Sequence, residues 1–223
     1  MKIISLSSSI AGPACAIAVS IKKHFYNDNC ETNIFDFLEV SLKSIIKILN
    51  IKINNLDIEE TLKNNYNIIV NNDGNNSVFF NNFDKLISHH DLIINYNEED
   101  FNNLIQKYKR RYNRLINYIN NENKIFFLRF GNESQELIIN FIDNIKMINN
   151  NLEIIFINLF FDVNNQNLNY DIKNYYYINF YNTIDYNKIY NEDLFHKTLE
   201  FDWFSVFELI NNNLNNNEKI IFY

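Results

Sequence analysis

Glycine and proline are almost missing from this chain, with 3 glycines and 1 proline among 223 residues. Flexible linkers are built from those residues and serine, and no such stretch is found. That excludes a loose join between domains and makes residues 1–223 a single domain. Cysteine is as scarce: Cys15 and Cys30 are the two present. They allow neither a disulfide framework nor a zinc cluster, so no metal and no cofactor is expected. A reducing, cytoplasmic location is the default, the host cytoplasm if the source is viral. Apolar runs never approach the ~20 residues of a membrane span, and no membrane contact is expected. Positive charge falls short of negative, 20 Lys and Arg against 27 Asp and Glu, giving net charge −7 and a pI near 5.1. General nucleic-acid binding by the whole surface is thereby excluded.

What is abundant is asparagine, roughly a fifth of the chain, with much Ile, Tyr, Phe and Lys. These residue types share AT-rich codons, which points to an AT-rich genome rather than to a prion-like segment. Hydrophobic residues make up 47%, and apolar periodicity continues between the asparagine clusters, so the chain is globular.

The first 24 residues organise the rest. Ile3, Ile4 and Leu6 read as a buried strand, Ser7-Ser8-Ser9 and Gly12-Pro13 as a turn, and Ala16 to His24 as a helix. Pro13 fits the first helical turn, where its missing N–H is harmless. Cys15 then falls in that turn, where unpaired amides and the helix dipole favour a thiolate or an anion. Lys2, the apolar run and Ala14-Cys15-Ala16 imitate a signal peptide, but the serines and Gly12-Pro13 interrupt its apolar core.

Further along, Glu39 to Leu49 reads as a helix with Leu42, Ile45, Ile46 and Leu49 on one face. Ile68 to Val70 and Ser77 to Phe80 flank Asp73-Gly74, a hairpin signal. Glu98 to Asn120 is the strongest helical pattern, through Leu104, Tyr108, Tyr112, Leu115 and Ile119. A buried strand from Lys124 to Phe130, a helix from Ser134 to Ile148 and a second strand from Leu152 to Phe160 follow. Tyr175 to Phe180 reads as strand, Glu192 to Leu214 as mostly helix and Lys219 to Tyr223 as an edge strand. Apolar runs without alternation, separated by helices, predict an α/β fold with a mainly parallel sheet flanked by helices.

Three groups of residues carry candidate chemistry. Cys15 is a nucleophile, or else a small buried hydrophobe. His89 and His90 stand in Ser88-His89-His90-Asp91. Neighbours on a strand point to opposite faces, so one histidine at most serves a given site as general base. All four arginines, Arg110, Arg111, Arg114 and Arg129, fall within twenty residues. Lys107, Arg111 and Arg114 share a helix face, and Arg129 ends a strand at the edge where parallel sheets bind ligands. They form either a solvated basic face or a phosphate or carboxylate site.

Taken in order, Ser5-Leu6 with Cys15, Phe35-Asp36-Phe37, His90-Asp91, Lys107 to Leu115 and Ile125 to Arg129 resemble a family of bacterial and viral proteins labelled papain-like cysteine peptidases. Ser7 stands where that family has a glycine, and Phe37 where it has a tryptophan. The resemblance implies a cysteine hydrolase in which Cys15 attacks and His90 moves the proton. Asp91 or Asp36 would orient the base, and Ser7, His89, Arg111, Arg114 and Arg129 would line the substrate site. It also raises a papain-like α+β fold as the alternative. A peptide substrate fits this reading. A phosphate-bearing small molecule, such as a nucleotide sugar, fits the rival, a Rossmann-like transferase. A catalytically inactive binding protein is the third possibility.

Overall fold

The computed structural model describes residues 2–8, 13–25, 31–70, 75–93, 95–131, 133–161, 170–172 and 175–182, together with Glu208. The expected helix from Glu192 and the strand from Lys219 lie outside them, Glu208 apart. In chain order the elements are β1 (Lys2–Ser8), α1 (Pro13–Phe25), β2 (Leu38–Val40), α2 (Leu42–Ile53), α3 (Ile58–Lys63), β3 (Tyr66–Val70) and β4 (Asn75–Phe80). There follow β5 (Leu86–Ile93), α4 (Glu98–Asn121), β6 (Lys124–Phe130), α5 (Gln135–Ile148), β7 (Glu153–Phe161), β8 (Tyr170–Ile172) and β9 (Tyr175–Asn182).

All the strands join one sheet in the order β3-β4-β5-β2-β1-β6-β7-β9-β8. The fold is α/β, but the sheet is mixed where a mainly parallel one was expected. Parallel pairing is confined to the contiguous strands β2-β1-β6-β7-β9. The β3-β4-β5 meander adds to β2 antiparallel, and β8 adds to β9 in the same sense. The physical reason is connection length, since hairpin-sized turns can join antiparallel strands alone. In the parallel portion the chain steps from β1 to β2 on one side and later returns to β6 on the other. The switch in direction falls at the C-terminal ends of β1 and β6, the place where sheets of this kind receive ligands.

The parallel strands β1, β6 and β7 are buried on both faces. Ile4 and Leu6, Ile125 and Phe127, and Ile154 and Phe156 form one core with α2, α4 and α5. Ile3, Phe126, Leu128, Ile155 and Ile157 are buried on the opposite face, where α1 packs against β1, β2 and β6. Each long helix of that first core begins on a side-chain cap. Ser41 caps α2, Ser134 caps α5, and Asn97 with Asp100 forms a capping box on α4. The Ser41 cap explains why residues 38–40 are strand rather than the start of a helix. Leu38 and Val40 enter the core while Glu39 points to the other face, a period of two that the following helix obscures.

Candidate active site

Two strand pairs near this end of the sheet are irregular. The β1–β6 register shifts between Ser5 and Ser8, and in that interval Ser7 takes φ 56°, the left-handed region that glycine occupies most easily. Ser7 is buried and donates its hydroxyl hydrogen bond to the Leu38 carbonyl, tying β1 to β2. The second shift falls in the β4–β5 pair between Asn76 and Val78, at Ser77. Bulges of this kind re-aim side chains.

Between the two irregularities lies a histidine with a carboxylate. Nε2 of His89 is 2.7 Å from Oε2 of Glu39, and Nδ1 is 3.0 Å from the Ser77 hydroxyl. Lys85 pairs with the other Glu39 oxygen. Burial opposes charge on Glu39, but the hydrogen bonds from His89 and Lys85 outweigh it and hold its carboxyl below the usual carboxylate range. A carboxylate accepts hydrogen bonds and gives none, so Nε2 carries the proton and Nδ1 is the basic nitrogen of the neutral ring. Glu39 stands in register with Ser8, the last residue of β1, and α1 begins five residues beyond it. Cys15 is the third residue of α1. Its side chain, like that of His90, lies outside the described residues.

The other expected site residues have protein partners of their own. Asp91 faces α4, where Lys107, Tyr108 and Ser88 occupy its oxygens; the Ser88 bond is 2.7 Å. Burial works against its charge and those three bonds overcome it, so its carboxyl is also held low. Tyr108 responds in the opposite direction, its phenol pushed well up by burial and by the Asp91 charge. Asp36 accepts from the backbone N–H of Asn33 at 2.8 Å and from its side-chain amide at 2.7 Å. Burial lifts the Asp36 carboxyl from 3.8 to about 6, against the pull of the Asn33 bonds and the charges of Lys22 and Arg111. It lines a cavity of about 210 Å³ with Lys22, Ser5, Asn33 and Tyr118, beside the first half of β1. Arg114 donates to the Thr32 carbonyl and pairs with Glu31 at 3.2 Å.

Arg129 is fully buried, at 0% exposure. Its guanidinium donates to the Leu6 carbonyl at 3.0 Å, the Val40 carbonyl at 3.1 Å and Glu133 at 2.6 Å. Burial pulls the Arg129 guanidinium below its usual pKa and Glu133 opposes that. The acidic partner is therefore Glu133, four residues on. One fork spans three neighbouring strands, β2, β1 and β6.

Sequence reasoning missed Glu39 and Ser77 as partners of a histidine. The available signal was a lone acid between two core residues in Leu38-Glu39-Val40. It also favoured His90 because of its neighbour Asp91, whose oxygens are held by Ser88, Lys107 and Tyr108. Among the described residues no helix is long and apolar enough to cross a membrane. A family model described as Putative papain-like cysteine peptidase (DUF1796) matches residues 2–164. No curated protein and no solved structure matches the chain.

Proposed function

The chain belongs to this family of putative papain-like cysteine peptidases, and from that premise we propose a thiol hydrolase whose base is His89 and whose orienting acid is Glu39. The observation that carries the reading is the 2.7 Å His89–Glu39 bond, at the sheet edge from which α1 departs. Cys15 supplies the nucleophile from the first turn of that helix. Its thiol proton passes to Nδ1 in place of the Ser77 hydrogen bond, since Nε2 already holds a proton against Glu39. The resulting thiolate is favoured by the helix dipole and the imidazolium together. Attack on an acyl carbon forms the S–C bond, and unpaired amides of the same turn receive the oxyanion. Nδ1–H then protonates the leaving group, and water, deprotonated at Nδ1, releases the acyl product. Peptides and simple thioesters or esters are the substrate class that this chemistry serves.

The test is selective alkylation. Iodoacetamide at pH 6.5 should label Cys15 at least ~10-fold faster than Cys30, and His89→Gln should remove that advantage. His90→Gln should leave it in place. Equal rates at the two cysteines in the wild type would overturn the reading.

A further inference from the structure

The cavity of about 210 Å³ beside the first half of β1 is lined by two opposite charges that do not meet. Lys22 of α1 is half-buried there, its ammonium 5.2 Å from the centre of the Phe37 ring. It acts on the Asp36 carboxyl through space, and among the described residues the two form no ion pair. The hydrogen bonds that Asp36 accepts come from Asn33, and Arg111 of α4 acts on it from outside the cavity lining. The other acid of the lining, Glu31, is engaged by Arg114 at 3.2 Å and by the Tyr118 hydroxyl at 2.9 Å. Ile3, Ala18 and Ile21, all buried, supply an apolar wall. Exposed Glu31 and half-buried Lys22 and Tyr118 leave that side open to solvent.

A charge taken out of water favours a partner of the opposite sign, and one ligand bearing both signs serves Lys22 and Asp36 together. A phosphate would meet Asp36, and a simple amine would meet Lys22. An apolar wall with a few placed polar groups is the usual make-up of a small-molecule site. The volume lies below the roughly 300–1,000 Å³ of sites for drug-sized ligands, so the occupant is no larger than a single amino acid. We propose that this cavity binds a free aliphatic α-amino acid, with its carboxylate on Lys22, its ammonium on Asp36 and its side chain against Ile3, Ala18 and Ile21. None of these residues takes part in the thiol chemistry, so the two readings fail separately.

Isothermal titration of the full chain at pH 7.5 with L-leucine, L-isoleucine and L-valine tests the proposal. Two leucine analogues that lack one charge each, 4-methylpentanoate and 3-methylbutylamine, are titrated beside them. At least one of the amino acids should bind, and each analogue should bind at least about tenfold more weakly than leucine, the worth of one charge-assisted hydrogen bond. Lys22→Gln, at a half-buried position that the fold tolerates, and Asp36→Asn should each weaken binding by about the same factor. Lys22→Arg, which keeps the charge, should retain it. Wild-type affinity should fall as pH drops below about 6, because a protonated Asp36 no longer attracts an ammonium, and Asp36→Asn should show no such fall. Absence of binding by all three amino acids, an analogue that binds as well as leucine, or binding that survives either Lys22→Gln or Asp36→Asn would overturn the proposal.

Discussion

Asp36 makes a pH dependence that can be worked out from its surroundings. Its carboxyl sits at about 6 in the folded chain against an ordinary 3.8, because burial outweighs the help of Asn33, Lys22 and Arg111. Folding therefore favours the protonated acid. Between pH 3.8 and 6 the folded chain keeps a proton that the unfolded chain has released, so stability falls as pH rises through that window. The full gap corresponds to about 3 kcal/mol. Asp36→Asn removes the titration. The amide loses one of the two acceptor sites that Asn33 uses, a cost that is the same at every pH. Urea unfolding of the two proteins from pH 4 to 7.5 isolates the effect as a difference of differences. The variant should gain about 2–3 kcal/mol on the wild type across that range, whatever their order at pH 4. Parallel stability curves would refute the reasoning, and a loss by the variant as pH rises would mean that Lys22 and Arg111 dominate burial.

Arg129→Lys should be nearly as damaging as Arg129→Ala, each costing about 3–5 kcal/mol in chemical denaturation, since a single ammonium cannot span Leu6, Val40 and Glu133. Asp91→Asn should cost about 2 kcal/mol at pH 7, and the wild type should lose that margin progressively as pH falls below the usual carboxylate range toward the pH at which the low-held Asp91 is itself protonated. At Ser7 the left-handed backbone and the bond to Leu38 oppose each other. Ser7→Gly should lie within about 1 kcal/mol of wild type, whereas Ser7→Ala keeps the strain, loses the bond and melts clearly lower.

Much of the architecture was legible in local pattern. Pro13 at the start of α1, Ser134 capping α5 and the Asp73-Gly74 hairpin each declare themselves within a few residues. The three-residue strand β2 was not legible, because a stretch so short is dominated by the helical periodicity of Leu42 to Leu49 behind it. Nor was the antiparallel half of the sheet, since Ser77 to Phe80 and Leu86 to Ile93 show which residues are apolar and not which strand they lie beside. The site suffered for the same reason. Glu39, Ser77 and His89 meet through pairings between β2, β5 and β4, so their convergence depends on the meander's position in the sheet. Arg129 was placed correctly at the end of its strand. What its charge would meet depended on Glu133, one turn beyond Gly131, and on two carbonyls from other strands.

The central claim is that His89, held by Glu39, activates Cys15. An activated ester tests it most directly: the full chain is incubated with p-nitrophenyl acetate, quenched in acid, and digested to find the acetylated residue. Acetyl on the peptide bearing Cys15, absent in both His89→Gln and Glu39→Gln, is the predicted result. Acetyl on Ser77, or labelling of Cys15 that survives both substitutions, would contradict it.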